Sequence, residues 1–162
     1  MKHTLSVSFQ NRYNAIPRIT GLFSGRGFEI ESISFGRGEQ PGLTRMTITT
    51  RGDDETIEQI TKQLHKLVDV TRVVDLTHEP FIERELALIK VSATHSTRSE
   101  IMHLATIFQG KIVDISPRSL TIEITGKEDK IDAALRMVHP FGLIEVARTG
   151  SVALKREFPT KK

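Results

Sequence analysis

The sequence predicts an α+β fold in which a ferredoxin-like βαββαβ unit occurs twice in tandem. Short segments with apolar residues at every second position alternate with longer segments whose apolar residues recur every three or four positions. The same order of segments is found before and after a polar connector at residues 77–80, and 162 residues are enough for two small domains. We therefore expect an N-terminal domain over 1–77, a linker over 78–83, and a C-terminal domain with a basic tail over 84–162.

The first strand and the first helix have different apolar periods. Leu5, Val7 and Phe9 alternate with polar residues, as in a strand with one buried face. Asn14 is expected to cap a helix whose apolar positions lie three or four residues apart. That helix should end at Gly25–Gly27, because glycine readily adopts the left-handed conformation common at helix C-termini.

The second strand has a break in its alternation. Phe28 and Ile30 lie at even-numbered positions, whereas Ile33 and Phe35 lie at odd-numbered ones. The strand therefore either bulges near Glu31-Ser32 or has apolar side chains on both faces. The rest of the first domain is regular, with a third strand after a turn-rich loop at 36–42, a helix that begins at Asp53-Asp54, and a strand at 70–76.

The second domain repeats this order of elements. A strand is predicted over 86–91, and Thr97–Glu100 has the pattern of a capping box at the start of a helix that Gly110 ends. Strands at 111–115 and 119–125, a helix with apolar residues from Ile131 to Val138, and a last strand at 143–147 complete the repeat.

Composition excludes several classes of protein. The chain has no cysteine, which excludes disulfide scaffolds, thiolate metal sites and cysteine nucleophiles. No apolar run reaches the roughly 18–20 residues of a membrane span, and the first residues lack the apolar core of a signal peptide, so we predict a cytoplasmic protein. The formal charge is only +3, and five basic residues against one acidic residue lie after position 147, which argues against nucleic acid as the main partner.

The sequence indicates no catalytic chemistry. The sequence contains neither the phosphate-binding motif G-x-x-x-x-G-K-S/T nor the nucleophile-elbow motif G-x-S-x-G. The histidines are not spaced three or four residues apart, as two metal ligands on one helix face would be, so they are interpreted as scattered surface residues: His3, His65, His78, His95, His103 and His139. We therefore predict no catalytic residue and no metal ligand.

One loop is a candidate binding site. Gln10–Ile16 connects the first strand to the first helix, where free N–H groups and the positive end of the helix dipole can bind a small carboxylate. Asn11 has both a donor and an acceptor for an amino acid. The alternative is that Asn11 and Asn14 only shape the turn and cap the helix, and spacing alone favours this alternative.

Five segments spread over nearly the whole chain carry a family resemblance. They are GLFSGRGF at 21–28, GLTRMTI at 42–48, KQLHKLVDV at 62–70, ERELALIKV at 83–91 and PFGLIEVARTG at 140–150. Together they resemble the small regulatory subunit of acetolactate synthase, also called acetohydroxyacid synthase, whose N-terminal domain is an ACT domain. This resemblance agrees with the βαββαβ order that periodicity predicts.

The resemblance implies a noncatalytic homodimer, paired through its N-terminal ACT domains, that binds and activates the large catalytic subunit. It also implies feedback by branched-chain amino acids, usually valine, bound between two chains. Thiamine diphosphate, Mg²⁺ and FAD would belong to the catalytic subunit, so this chain is expected to carry no cofactor. By the same resemblance the effector site consists of Asn11, Asn14, Ala15 and Ile16 of one chain and Glu29 and Ile30 of its neighbour.

The chain departs from the family pattern in two places. The loop usually reads Asn-Glu-Pro-Gly, whereas this chain has Asn11-Arg12-Tyr13-Asn14, and an asparagine usually stands where this chain has Glu29. A carboxylate at that position can pair with an effector's ammonium group or repel its carboxylate. We expect a subunit that still activates its synthase while inhibition by valine is weakened or retuned. The alternative function is a freestanding ACT-domain amino-acid sensor that controls another protein.

Overall fold

A computed structural model describes residues 1–157, so the end of the predicted basic tail, residues 158–162, lies outside the described residues. Within residues 1–157 the chain forms nine strands, four α-helices and one short 3₁₀ helix at His139–Phe141. The strands are β1 Lys2–Gln10, β2 Ile30–Arg37, β3 Leu43–Arg51, β4 Val70–Asp75, β5 Phe81–Ser92, β6 Lys111–Ile115, β7 Ser119–Gly126, β8 Leu143–Arg148 and β9 Val152–Lys155. The helices are α1 Ala15–Gly25, α2 Asp54–His65, α3 Arg98–Ile107 and α4 Glu128–Val138.

The chain divides into two compact units, which we call the first unit and the second unit. The first unit comprises Met1–Ile82 together with the segment from Ser151 onward, and the second comprises Glu83–Gly150. The predicted boundaries put residues 151–157 in the C-terminal domain, whereas their contacts place them in the first unit. There the Ala153 N–H donates to Thr47 Oγ1 at 3.3 Å. In addition, β5 already begins at Phe81, inside the predicted 78–83 linker.

The first unit has a four-stranded sheet in the order β2-β3-β1-β4, and every neighbouring pair is antiparallel. Its core forms where the alternating residues of β1 and β3 meet the apolar stripes of α1 and α2. The core residues are Leu5, Val7, Phe9, Ala15, Ile19, Phe23, Met46, Ile48, Ile57, Ile60 and Leu64. The alternation at Leu5, Val7 and Phe9 is therefore confirmed as the core side of β1. The expectation of a single buried face is wrong, because Thr4 and Ser6 between them are also buried.

The second unit has the same arrangement of strands, β6-β7-β5-β8. Its core is built in the same way from β5, β7, α3 and α4 and contains Ala87, Ile89, Val91, Ala93, Ile101, Ala105, Leu120, Ile122, Ile124, Ile131, Ala134 and Val138. The tandem βαββαβ prediction is confirmed. The four-residue strand β9 was not predicted.

The predictions for the break in the second strand and for the ends of the helices are partly confirmed and partly wrong. The break in strand two is a bulge, because the register of β2 against β3 shifts between Ile30 and Ser32. Gly27 adopts φ +71° after α1, as the predicted helix end requires. Asp53 caps α2 by accepting the Thr56 N–H at 2.8 Å. The capping box at Thr97–Glu100 is wrong, since the Thr97 side chain makes no cap hydrogen bond to α3.

Candidate effector site

The loop between β1 and α1 is held by its own backbone. The Asn11 N–H donates to the Gly42 carbonyl at 2.8 Å, and the Arg12 N–H donates to the Gln10 carbonyl at 2.8 Å. The Ala15 N–H donates to the Arg12 carbonyl at 3.1 Å. The Asn11 backbone donor is therefore used internally, and its exposed side chain remains for a ligand.

Asn14 has the left-handed conformation, with φ 71° and ψ 8°. Its carbonyl accepts the Arg18 N–H at 3.1 Å, which makes it the N-cap by position, but its side chain forms no cap hydrogen bond. A side chain that caps a helix usually comes from an extended backbone, which Asn14 does not have. The interpretation of Asn14 as an ordinary cap is thus wrong. Asparagine here adopts the backbone shape for which glycine is the default.

Three N–H groups at the start of α1 are available to a ligand. Those of Tyr13, Asn14 and Ile16 have no hydrogen-bond acceptor within residues 1–157. The helix dipole adds a positive potential at this end. In the described structure, α1 is also the one α-helix without an acidic residue in its first turn, whereas α2, α3 and α4 each have at least one. A small carboxylate therefore meets donors and no acidic residue in the first turn of α1.

The two apolar residues predicted for the site play different parts. The side chain of Ala15 is 1% exposed in the core, and its N–H is already bonded, so it offers a ligand no direct contact. Ile16 is half-buried and keeps its N–H free. Tyr13, which was not among the predicted site residues, is 93% exposed and has a free N–H.

An ion pair that sequence reasoning missed anchors α1 beside the loop. Arg18 Nη1 donates to Asp69 Oδ2 at 3.1 Å, and the carboxyl group of Asp69 is almost fully buried. The Asp69 carbonyl also accepts the N–H of Gln10, the last residue of β1, at 2.8 Å. The only signal in the sequence is an aspartate within the apolar run Leu67–Val70, because its partner is 51 residues away.

The other two predicted residues lie at the opposite end of the same sheet. Ile30 pairs with Thr50, and Thr50 pairs with His3 near the start of β1. The loop follows Gln10, seven residues further along β1, which corresponds to a separation of about 23 Å. Glu29 is exposed, and its carbonyl accepts a hydrogen bond from Thr50 Oγ1. One chain therefore does not bring Glu29 and Ile30 to the loop.

The negative charge of Glu31, two residues after Glu29, is largely compensated by Lys2 and Arg51 of the same chain. Glu31, at the bulge, accepts a hydrogen bond from Arg51 Nε, and Lys2 Nζ lies 3.6 Å from its other carboxyl oxygen. The hydrogen bond from Arg51 lowers the pKa of Glu31, and the charges of Lys2 and Arg51 add to this effect. Glu31 is thus held as a paired carboxylate, while the Glu29 side chain extends to solvent.

Two family models match most of the chain. Residues 5–72 match an ACT domain described as acetohydroxyacid synthase small subunit-like, and residues 84–157 match the small subunit of acetolactate synthase. The chain belongs to the acetolactate synthase small-subunit family. The first match lies within the first unit, and the second covers almost all of the second unit and continues through residues 151–157 of the first. The family assignment therefore includes both units.

Individual members of the acetolactate synthase small-subunit family agree with this assignment. A small subunit from Aquifex aeolicus is 48% identical over 162 residues, which cover 99% of this chain and 84% of that protein. A probable small subunit from Methanothermobacter thermautotrophicus is 49% identical over 155 residues, which cover 95% and 92%. The crystal structure of the Thermotoga maritima small subunit has a TM-score of 0.91 and 42% identity, and covers 98% of this chain and 99% of that chain.

The helices give no sign of membrane insertion. Across residues 1–157, none combines the length and the apolar character needed to cross a bilayer.

Proposed function

We propose that the chain is the noncatalytic regulatory subunit of an acetolactate synthase, which binds the catalytic subunit, raises its activity and makes it responsive to branched-chain amino acids. Family membership over both units carries this proposal. The free N–H groups of Tyr13, Asn14 and Ile16 support an effector with a carboxylate. Thiamine diphosphate, Mg²⁺ and FAD are assigned to the catalytic subunit.

The proposed dimer joins two first units through β2. This strand lies at the edge of its sheet, and Phe35 on it is 55% exposed. Two β2 strands related by a twofold axis pair antiparallel, so the start of one strand lies beside the end of the other. Arg37 at the end of β2 aligns through Thr44 with Phe9. A partner's Ile30 then lies at the same end of the sheet as the loop after Gln10.

This pairing supports an effector site made by two chains. The carboxylate of the effector binds the N–H groups at the start of α1, and its ammonium group faces the neighbouring chain. On the neighbouring chain, Glu29 stands where the family usually has an asparagine. In the loop that binds the carboxylate, Asn14 stands where the family usually has a glycine. The new carboxylate changes the charge of the site, and the Asn14 side chain occupies space beside the ligand. We infer that inhibition by valine is weakened or retuned.

Activity of the reconstituted complex tests the main proposal. The catalytic subunit, supplied with thiamine diphosphate, Mg²⁺ and FAD, is assayed with and without this chain, and then with valine, leucine or isoleucine. Activation and copurification of the two proteins are the expected results. If neither occurs, the chain is better explained as a freestanding amino-acid sensor.

A double substitution tests the effector site. Calorimetric titration of the wild type with valine should give weak binding, and Glu29→Asn combined with Asn14→Gly should strengthen it. Glu145→Asn, the same change at an exposed glutamate of the second unit, is the matched control and should leave the affinity unchanged. Tight valine binding by the wild type would contradict the weakening, and no gain in the double variant would show that the site lies elsewhere.

A further inference from the structure

The histidine nearest the start of the chain is not a surface residue. His3 is fully buried, which contradicts the interpretation of all six histidines as scattered on the surface. Its Nε2 lies 3.3 Å from the Gly52 carbonyl, whereas its Nδ1 is buried without any hydrogen-bond partner. A buried polar atom of this kind costs free energy unless something binds it.

The contact with Gly52 determines which ring nitrogen carries the proton. A carbonyl oxygen can only accept, so Nε2 must be the N–H donor in this hydrogen bond. In the neutral ring Nδ1 is then a bare lone pair. The nearest charged group, Asp75 Oδ2, lies 4.0 Å away and is also an acceptor. The buried Nδ1 of His3 and the partly exposed carboxylate of Asp75 are both acceptors, and such a pair favours a cation between or beside them.

Two further ligand groups lie beside His3. Asp54 is in the first turn of α2, and His78 is in the turn after β4; Asp54 Oδ1 lies 3.7 Å from His78 Nε2. One ligand atom from each of His3, Asp54 and His78 lies within 4.8 Å of the others. The rings of His3 and His78 meet edge to face, with centroids 6.3 Å apart.

We propose that His3, Asp54 and His78 form a binding site for a divalent transition metal such as Zn²⁺, which no part of the regulatory function requires. Two imidazoles and a carboxylate are typical zinc ligands, and a water molecule would complete a tetrahedral set. The Nε2–H···O=C bond to Gly52 also fits, because metal-binding histidines commonly donate their other ring N–H to a carbonyl or carboxylate.

The geometry needs only a small contraction. Zinc bonds of about 2.0–2.1 Å place tetrahedral ligand atoms roughly 3.3 Å apart, compared with 3.7 Å for Asp54 and His78 and at most 4.8 Å for the set. The His78 and Asp54 side chains are 63% and 80% exposed and can move toward the buried His3. The bound ion would tie the start of β1, the start of α2 and the turn after β4 together within the first unit.

Zinc titration of the full-length chain without an affinity tag tests the site. After treatment with a chelator, calorimetry with Zn²⁺ alone should give one ion per chain. His78→Ala and Asp54→Asn should each lower the affinity by about tenfold or more. Both residues are exposed, so these variants should fold. His65→Ala, which removes an exposed histidine at the end of α2, should bind as the wild type does.

A second readout identifies the ligands. X-ray absorption of the zinc-loaded wild type should show two imidazole ligands, and His78→Ala should lose one of them. The proposal is overturned if the chain does not bind Zn²⁺. It is equally overturned if His78→Ala and Asp54→Asn bind Zn²⁺ as tightly as the wild type does.

Discussion

The two units have the same order of strands, yet they treat the loop from the first strand to the first helix differently. In the second unit the Thr94 N–H donates to Thr97 Oγ1 at 3.0 Å, and the Thr97 N–H donates to Thr94 Oγ1 at 3.3 Å. Glu100 also puts an acid in the first turn of α3. Within residues 1–157 both loops keep N–H groups without an acceptor, those of His95, Ser96, Ser99 and Glu100 in the second unit and those of Tyr13, Asn14 and Ile16 in the first. The first turn of α1, however, has no acid.

This difference shows that the βαββαβ fold does not by itself make a binding site. The same topology places a helix N-terminus at the same position twice. In the second unit the two threonine hydroxyls fix the loop before α3, and Glu100 puts a negative charge where a bound carboxylate would lie. In the first unit Asn14 is left-handed and the first turn of α1 has no acid, so the positive end of the helix dipole is uncompensated.

The units also differ in their buried ion pairs. In the second unit Arg148 bonds both carboxyl oxygens of Glu85, at 2.7 and 2.9 Å, and donates to Asp132 Oδ1 at 2.8 Å. These hydrogen bonds, the one to Glu85 foremost, raise the pKa of Arg148 well above its ordinary value. In the first unit the pair of Arg18 with Asp69 lies at a different place in the repeat, between α1 and the residue before β4, and it has one hydrogen bond and a half-exposed arginine.

The largest effect is expected from Arg148→Ala. The substitution leaves Glu85, whose side chain is 5% exposed, as a buried charge without its partner, which should cost about 3 kcal/mol of unfolding free energy. Urea unfolding, with hydrogen exchange over residues 83–150, should locate the loss in the second unit. The exposed Arg84→Ala is the control, expected within about 0.5 kcal/mol of the wild type. A loss as small as that of the control would mean that the bidentate pair contributes little.

Substitutions at the two described non-glycine residues with positive φ should change the free energy of unfolding by smaller amounts, in opposite directions from each other. Asn14→Ala replaces asparagine, which tolerates the left-handed conformation better than other non-glycine residues, by alanine, and should destabilise the first unit by about 1 kcal/mol. Gln109→Gly, at φ 53°, should stabilise the second unit by a similar amount, about 1 kcal/mol. Unfolding midpoints check both. Equal signs would contradict the assignment of strain to these residues.

The regular elements could be predicted because their signals are local. The alternation at Leu5, Val7 and Phe9 and the change of alternation after Ile30 depend only on neighbours in the sequence. The first correctly gave the core side of β1. The second left two alternatives open, a bulge or apolar residues on both faces, and the register shift shows that the bulge is correct. Strand β9 was missed because its four residues are too few to show a period.

The candidate site was predictable only in part. The loop was indicated by its place between a strand and a helix, but the role of Asn14 was not, because asparagine favours both helix caps and left-handed positions. Ala15 lines the core instead of the site. The burial of His3 and the partner of Asp69 depend on residues about 50 positions away, which periodicity cannot reveal.

A single change should make the first unit resemble the second at this loop. Pro17→Glu puts an exposed acid into the first turn of α1, as Glu100 does for α3. The added charge opposes a bound carboxylate by about 1 kcal/mol, or roughly fivefold in affinity. Calorimetry with the amino acid that binds the wild type most tightly measures this loss. Pro17→Gln, similar in size and neutral, separates charge from the loss of proline; an equal loss in both variants would rule out the electrostatic cause.

The smallest expected effect is a change in acid sensitivity at Glu31. The Arg51 hydrogen bond lowers the pKa of Glu31 below its ordinary value of 4.5, so the folded state binds its proton less readily than the unfolded state does. The stabilisation is fully present above the unfolded value and is lost as pH falls through the folded one. Glu31→Gln should therefore reduce the fall in the first unit's unfolding midpoint between about pH 6 and about pH 3. Glu39→Gln is the matched control, and an unchanged fall in Glu31→Gln would show that this ion pair does not contribute to acid sensitivity.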